Sequence, residues 1–228
     1  MKMIDHDDIT KYDLMFGNES LVQKERVKFL GVMLDVNMNW TPHCKAICSR
    51  LSSAMFVLRN VKNVLPTNAM KTLYYSLFYS HMQYGIMLYG NSAFKYLTNH
   101  IIILQKKAIR LVKNVGYNSH TPPIFKELSI LKFDDAVKAE HIKFMYKYEN
   151  NMLPVNLNSL LKRCNEIHNY DTRYSKDPLS IKHNFAPLEA SFLVKGPTLW
   201  KIVKRDEKNI KKISTFIATQ KKHIINSY

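Results

Sequence analysis

The sequence predicts a mainly α protein with a small β element at its N-terminal end. Apolar residues recur at helical spacing along most of the chain beyond residue 40. Proline-marked helix starts, Thr41-Pro42 and Pro66-Thr67, stand directly ahead of the first two apolar stripes. In front of them, residues 11–35 read as short β-type segments separated by turn formers.

The elements follow in order. Tyr12 to Phe16 reads as a strand closed by a turn at Gly17-Asn18, and Val27 to Leu34 reads as a second strand that carries Gly31. Thr41 is placed as an N-cap with Pro42 at the first helical position, and Ile47, Leu51, Ala54, Met55 and Leu58 face inward. The helix after Pro66 puts Met70, Leu73, Tyr74, Leu77, Phe78 and His81 on one side. A third runs from about Tyr96 to Lys113, with Leu97, Ile101, Leu104, Ala108 and Leu111 inward. NVGYNSHTPP, from Asn114, is rich in turn formers and marks an internal boundary. Beyond it, Asp134 to Tyr148 forms a helix with Val137, His141, Phe144, Met145 and Tyr148 on one side. Residues 164–192 are irregular and polar, Gly196-Pro197 opens a short helix through Trp200, and Ser214 to Ile225 is the last helix. Three segments result: a β element over 1–40, a helical region over 41–115 and a helical region over 116–228.

Composition narrows the function. The 228 residues are 46% hydrophobic and 23% charged, which excludes wholesale disorder. No apolar run reaches the roughly 18 residues of a membrane span, so no membrane partner is expected. Three cysteines argue against a disulfide framework and for a reducing, intracellular compartment. The net charge is +16, and it is unevenly placed. Residues 1–40 contribute −2, whereas Val36 to Lys126 holds eleven Lys or Arg and no acid at all. A solvated surface normally mixes both signs. A field this one-sided suits a polyanion, and nucleic acid is the expected partner.

Asp7-Asp8 could hold metal ions for phosphoryl transfer, but a second carboxylate-bearing strand is missing, so it reads as a frayed acidic terminus. Cys44 and Cys48, with His43 beside them, have i,i+4 spacing rather than that of a zinc knuckle, and read as small buried thiols. LQKKAIRLVKN places Lys106, Arg110 and Lys113 on one face, with Lys107 beside them, and these four are expected to contact phosphates. HNYDTR groups His168, Tyr170 and Arg173. These suit base stacking and phosphate contact, or equally a structural loop pinned by its ring. GPTLW, from Gly196, reads as a helix start burying its tryptophan.

Seven landmarks occur in one order along the chain: TKYDLMFG, VKFLGVMLDVNMNWTPH, LPTNAMKTLYYSLFYSHMQYGIMLYGN, LQKKAIRLVKN, HTPPIFKELSIL, HNYDTR and GPTLW. In this order they resemble the C-terminal portion of reverse transcriptases from non-LTR retrotransposons of the jockey and CR1 type. The resemblance covers nearly the whole chain from about Thr10. It implies that Phe29, Leu30 and Gly31 belong to a primer-grip hairpin at the palm end, where a glycine lets a nucleic-acid backbone pass close by. It implies a helical thumb-like bundle after Trp40 that packs along a template–primer duplex, followed by a helical C-terminal region.

The resemblance also implies that fingers, most of the palm and the aromatic-x-Asp-Asp metal site lie upstream of TKYDLMFG. No cofactor is then expected for this chain alone, since Mg²⁺ would belong to the missing palm, and the chain alone should not polymerise. The expected partner is RNA or an RNA–DNA duplex; the sequence sets no oligomeric state. The alternatives are a non-catalytic RNA-binding protein, using the basic helices and the HNYDTR loop, or a pseudogene product.

Overall fold

A computed structural model describes residues 15–22, 24–91, 95–164, 178–181, 186–189 and 191–228. It is mainly helical, with a small N-terminal element of two hairpins, as the periodicity predicts. The first pairs β1 (Met15–Phe16) with β2 (Glu19–Ser20), and the second pairs β3 (Arg26–Phe29) with β4 (Val32–Asp35), both antiparallel.

The segment expected as one strand from Val27 to Leu34 is therefore folded back on itself. Phe29 pairs with Val32, so Leu30 and Gly31 form a two-residue loop. Both have positive φ, 45° and 83°. That geometry matches the right-handed twist of paired strands. Tyr84 secures the loop from outside the hairpin: its hydroxyl donates to the Leu30 carbonyl, and a Cβ on Gly31 would lie 3.4 Å from its ring. Glycine at 31 thus answers to the turn and to an intramolecular ring.

The Asp35 carboxylate accepts the amides of Asn39 at 3.2 Å and Trp40 at 3.1 Å, which turns the chain into α1 (Thr41–Val61). Trp40, at φ 64°, occupies the cap in place of the expected Thr41, because Asp35 and Asn39 already satisfy the amides around the start. Ile47, Leu51, Ala54, Met55 and Leu58 are all buried, as their spacing predicts.

After α2 (Thr67–Leu73) the chain runs through a π-helical segment, Tyr74–Tyr79, into α3 (Ser80–Gln83) and then α4 (Ile86–Tyr89). Bonding from i to i+5 widens the turn. The inward face consequently steps by four, through Met70, Tyr74, Phe78 and Met82, and His81, expected inside, is exposed.

The next helix, α5 (Lys95–Lys113), packs chiefly on α1. Its buried face holds Leu97, Thr98, Ile101, Gln105, Ala108, Ile109 and Val112, so Leu104 and Leu111 sit at the edge of the stripe rather than in it. The reason is Gln105. Its amide donates to the Tyr74 hydroxyl at 3.0 Å and the Leu131 carbonyl at 2.9 Å, while its oxygen accepts the Phe133 amide at 2.8 Å. A polar side chain is admitted to the core because it is fully bonded there.

The remaining helices are α6 (Thr121–Glu127), α7 (Phe133–Glu149), α8 (Val155–Asn158), α9 (Ala186–Glu189), α10 (Phe192–Ile202), α11 (Arg205–Lys208) and α12 (Ile213–Asn226). One hydrophobic core runs from α1 across the 114–120 connection to Val137, and a second gathers Ile142, Met145, Tyr146, Trp200 and Phe216. Two helices span both: α7 crosses at His141, and α12 gives Phe216 to one core and Ile225 to the other. The helix expected to open at Gly196 begins earlier, at Phe192, and carries Pro197 within it. Gly196 is there for contact, since a Cβ would come within 2.9 Å of the Met145 sulfur.

Candidate nucleic-acid interface

The residues singled out in the sequence fall into two groups against different parts of the fold. Phe29 and Leu30 are exposed at the hairpin tip, 61% and 75%, above the half-buried Gly31. Trp40 is half-buried at the start of α1, edge-on to His43 with ring centroids 6.4 Å apart. Lys106, Lys107, Arg110 and Lys113 lie on α5, which flanks α6. His168, Tyr170 and Arg173 lie outside the described residues, as does Asp7-Asp8.

The four α5 cations are not equivalent. The buried stripe passes through Gln105, Ile109 and Val112, and the four cations lie outside it. Only Lys106 is fully exposed. The fold also supplies an acid that the local sequence lacks. Glu127, at the end of α6, forms an ion pair with Lys113. Arg110 turns its Nε to the Ser119 carbonyl at 2.9 Å and lies 5.8 Å from the Tyr117 ring centroid. Lys106 and Lys107 form no ion pair among the described residues.

A stripe that the sequence reading missed lies on α1. Lys45, Ser49, Ser52, Phe56 and Arg59 recur at i, i+4, i+7, i+11 and i+14, and all are exposed. Phe56 is 65% exposed and sits between the two cations. Neither Lys45 nor Arg59 has an ion-pair partner among the described residues. The signal was available, since the positions opposite the apolar stripe carry cations and small hydroxyls with one aromatic among them.

The interior beneath is chemically quiet. Burial pushes the Cys44 thiol up to about 12, with Cys48 adding to the shift. Burial, and then the Arg50 charge, lower the pKa of His43, whose Nδ1 faces the Met33 amide at 3.4 Å. Among the described residues no three His, Cys, Asp or Glu side chains are grouped so as to hold a metal ion. No helix among them is long and apolar enough to cross a membrane.

A mainly helical body whose α1 and α5 carry exposed or half-buried cations, several without an ion pair among the described residues, is thus the class of protein that fold and surface define. Over 120 residues the chain is 28% identical to the probable RNA-directed DNA polymerase from transposon BS of Drosophila melanogaster, a match covering 51% of this chain and 13% of that protein. About half of the chain is therefore related in sequence to a transposon RNA-directed DNA polymerase, and it spans only a small part of that protein's length. No protein-family profile and no solved structure matches the chain.

Proposed function

We propose that this chain is the palm-end, thumb-like and C-terminal portion of a jockey/CR1-like non-LTR retrotransposon reverse transcriptase. In this reading it grips a template–primer duplex and lacks the catalytic carboxylates. The observation that carries the reading is that α1 and α5 lie side by side and turn outward Lys45, Arg59, Lys106 and Lys107, which form no ion pair among the described residues. The α1 helix is about 30 Å long at 1.5 Å per residue. Lys45 and Arg59 stand roughly 21 Å apart along it, which spans about six base-pair steps of 3.4 Å. Two cations at that interval can follow one phosphate backbone while Phe56 and the serines between them meet the groove. The exposed Phe29 and Leu30 fit the same picture, because a two-stranded hairpin is marginal alone and gains stability from a larger body beside it.

The test is binding of an RNA–DNA duplex across a salt series. With about four to five phosphates contacted, log K should fall against log salt with a slope of roughly −3 to −5. A flat salt response, or no binding at low salt, would overturn the reading, as would Mg²⁺-dependent primer extension by the pure chain.

A further inference from the structure

A cleft of about 430 Å³ opens between α5, the 114–120 connection and the starts of α6 and α7. That volume is within the range of small-molecule sites and well beyond what one ion fills. Lys106 and Arg110 reach it from α5, and Lys132 and His120 from the two connections facing it. One carboxylate, Asp134, shares the lining. Three permanent cations therefore face a single acid. The contrast is a larger hollow of about 610 Å³ beside the second hairpin, where Glu25 and Asp35 offset Arg26 and Lys45. Of these two hollows among the described residues, the smaller has the charge balance that suits an anion.

Two further features favour a nucleotide over a bare anion. The Nε bond to Ser119 fixes the Arg110 guanidinium and leaves its two terminal nitrogens unbonded among the described residues. Tyr117, next in sequence to the cleft-lining Asn118, is 72% exposed and carries the Arg110 guanidinium over one face of its ring at 5.8 Å, so a base on the ring would lie close to a phosphate held by Arg110. Lys132 is held in place by the Tyr228 ring, 3.7 Å from its Nζ, and an ammonium resting on a ring keeps donors on its far side.

We propose that this cleft binds a nucleoside monophosphate, free or as the 5′ end of a strand, with the phosphate between Lys106, Arg110 and Lys132 and the base on Tyr117. A terminal phosphate carries about −1.5 to −2 charge, which matches three cations against one carboxylate better than the single charge of an internal diester. The strand-end form rests on the nucleic-acid reading above.

The experiment uses the full chain and two short single-stranded RNAs that differ only in a 5′-phosphate or a 5′-hydroxyl, with adenosine monophosphate, adenosine and inorganic phosphate as competitors. The 5′-phosphate strand should bind about tenfold more tightly, the gain expected of charge-assisted contacts. Lys106→Gln and Lys132→Gln should each reduce that preference to about two- to threefold. Lys106 is exposed and unpaired, so its variant tests the cleft without disturbing the fold, whereas Arg110→Gln would also release Ser119. Adenosine monophosphate should compete at lower concentration than inorganic phosphate, and Tyr117→Ala should abolish that difference. Competition by adenosine monophosphate but not adenosine, with no end preference, supports the cleft as a site for the free nucleotide. Equal binding of both strands, with no competition by adenosine monophosphate, overturns the cleft even if duplex binding persists. Inorganic phosphate competing as well as the nucleotide overturns the base contact. Loss of all RNA and duplex binding, with adenosine monophosphate still bound, would instead sink the duplex reading and leave the cleft standing.

Discussion

The half of the molecule built on α1 and α5 and the half built on α7 and α10 to α12 handle charge in opposite ways. In the second, acids sit beside their cations: Asp135 with Lys138 at 3.0 Å, Glu140 with Lys143 at 3.1 Å, Glu149 with Arg163 at 3.3 Å and Glu189 with Lys195 at 3.6 Å. In the first, Lys45, Arg59, Lys106 and Lys107 have no ion pair among the described residues. The α7 pairs form over one helical turn and each adds little stability. Their consequence lies elsewhere. They balance the charge of α7, whereas residues 41–115 carry ten Lys or Arg and no acid of their own, so the positive field there is undiluted along the chain, attracts a polyanion and costs self-repulsion that core packing must offset.

The strongest test of that division is to exchange Lys45, Arg59, Lys106 and Lys107 together for Gln. Each lost phosphate contact removes about 0.9 from the salt slope, so if all four cations make one the slope should flatten by about 3.6. A change of that size amounts to several kcal/mol of binding at low salt. The matched control changes Lys138, Lys143, Arg163 and Lys195, whose charges are engaged in those ion pairs, and should leave the slope nearly intact. Equal losses from both sets would show that the field is spread over the molecule and would remove the basis of the comparison.

Next in size is the tie that keeps the unpaired half rigid. Gln105 joins α5 to Tyr74 and to the connection leading into α7 through three hydrogen bonds in a fully buried position. Gln105→Ala would strand the Phe133 amide and the Leu131 carbonyl and leave a cavity. Thermal or denaturant unfolding should show a loss of about 3–5 kcal/mol. Gln105→Glu should also destabilise, since a buried carboxylate accepts from Phe133 but cannot donate to Leu131. A near-neutral Gln105→Ala would mean that the first core does not depend on this link.

These residues also show what was legible in the sequence. The α1 stripe could be read because each of its inward positions is apolar and its start is marked by Thr41-Pro42. The face of α5 was misjudged because a glutamine in register with Ile101 and Ala108 counts as polar until its three partners are known. His81 was misplaced because nothing local in YYSLFY announces a switch from i+4 to i+5 bonding. The hairpin was read as a single strand because Leu30-Gly31 lacks the Asn-Gly or Asp-Gly of an obvious two-residue turn, and its stabilising contact, Tyr84, comes 54 residues later. Of the candidate site, the charge bias was plain, but the partition among the four α5 cations was not. It depends on Glu127, Ser119 and Tyr117, which only the fold brings near.

The smallest expected effect concerns that partition. Lys113 is paired with Glu127 across side chains that are 32% and 57% exposed, a degree of exposure at which an ion pair contributes about 0.2–1 kcal/mol. Glu127→Gln should therefore cost little stability, within about 1 kcal/mol. Its effect on binding runs the other way. Removing the acid paired with Lys113 releases that lysine and deletes a repulsion against phosphate, so affinity for an RNA–DNA duplex should rise by about two- to fivefold at low salt. The salt slope should steepen by up to about 0.9 if Lys113 then gains a phosphate of its own. Lys113→Gln is the complement: with its charge already engaged, it should change the slope far less than Lys107→Gln does. If Glu127→Gln instead leaves binding unchanged while Lys113→Gln weakens it as much as Lys107→Gln, the ion pair does not restrain Lys113 in solution. The four α5 cations would then act as one equivalent face.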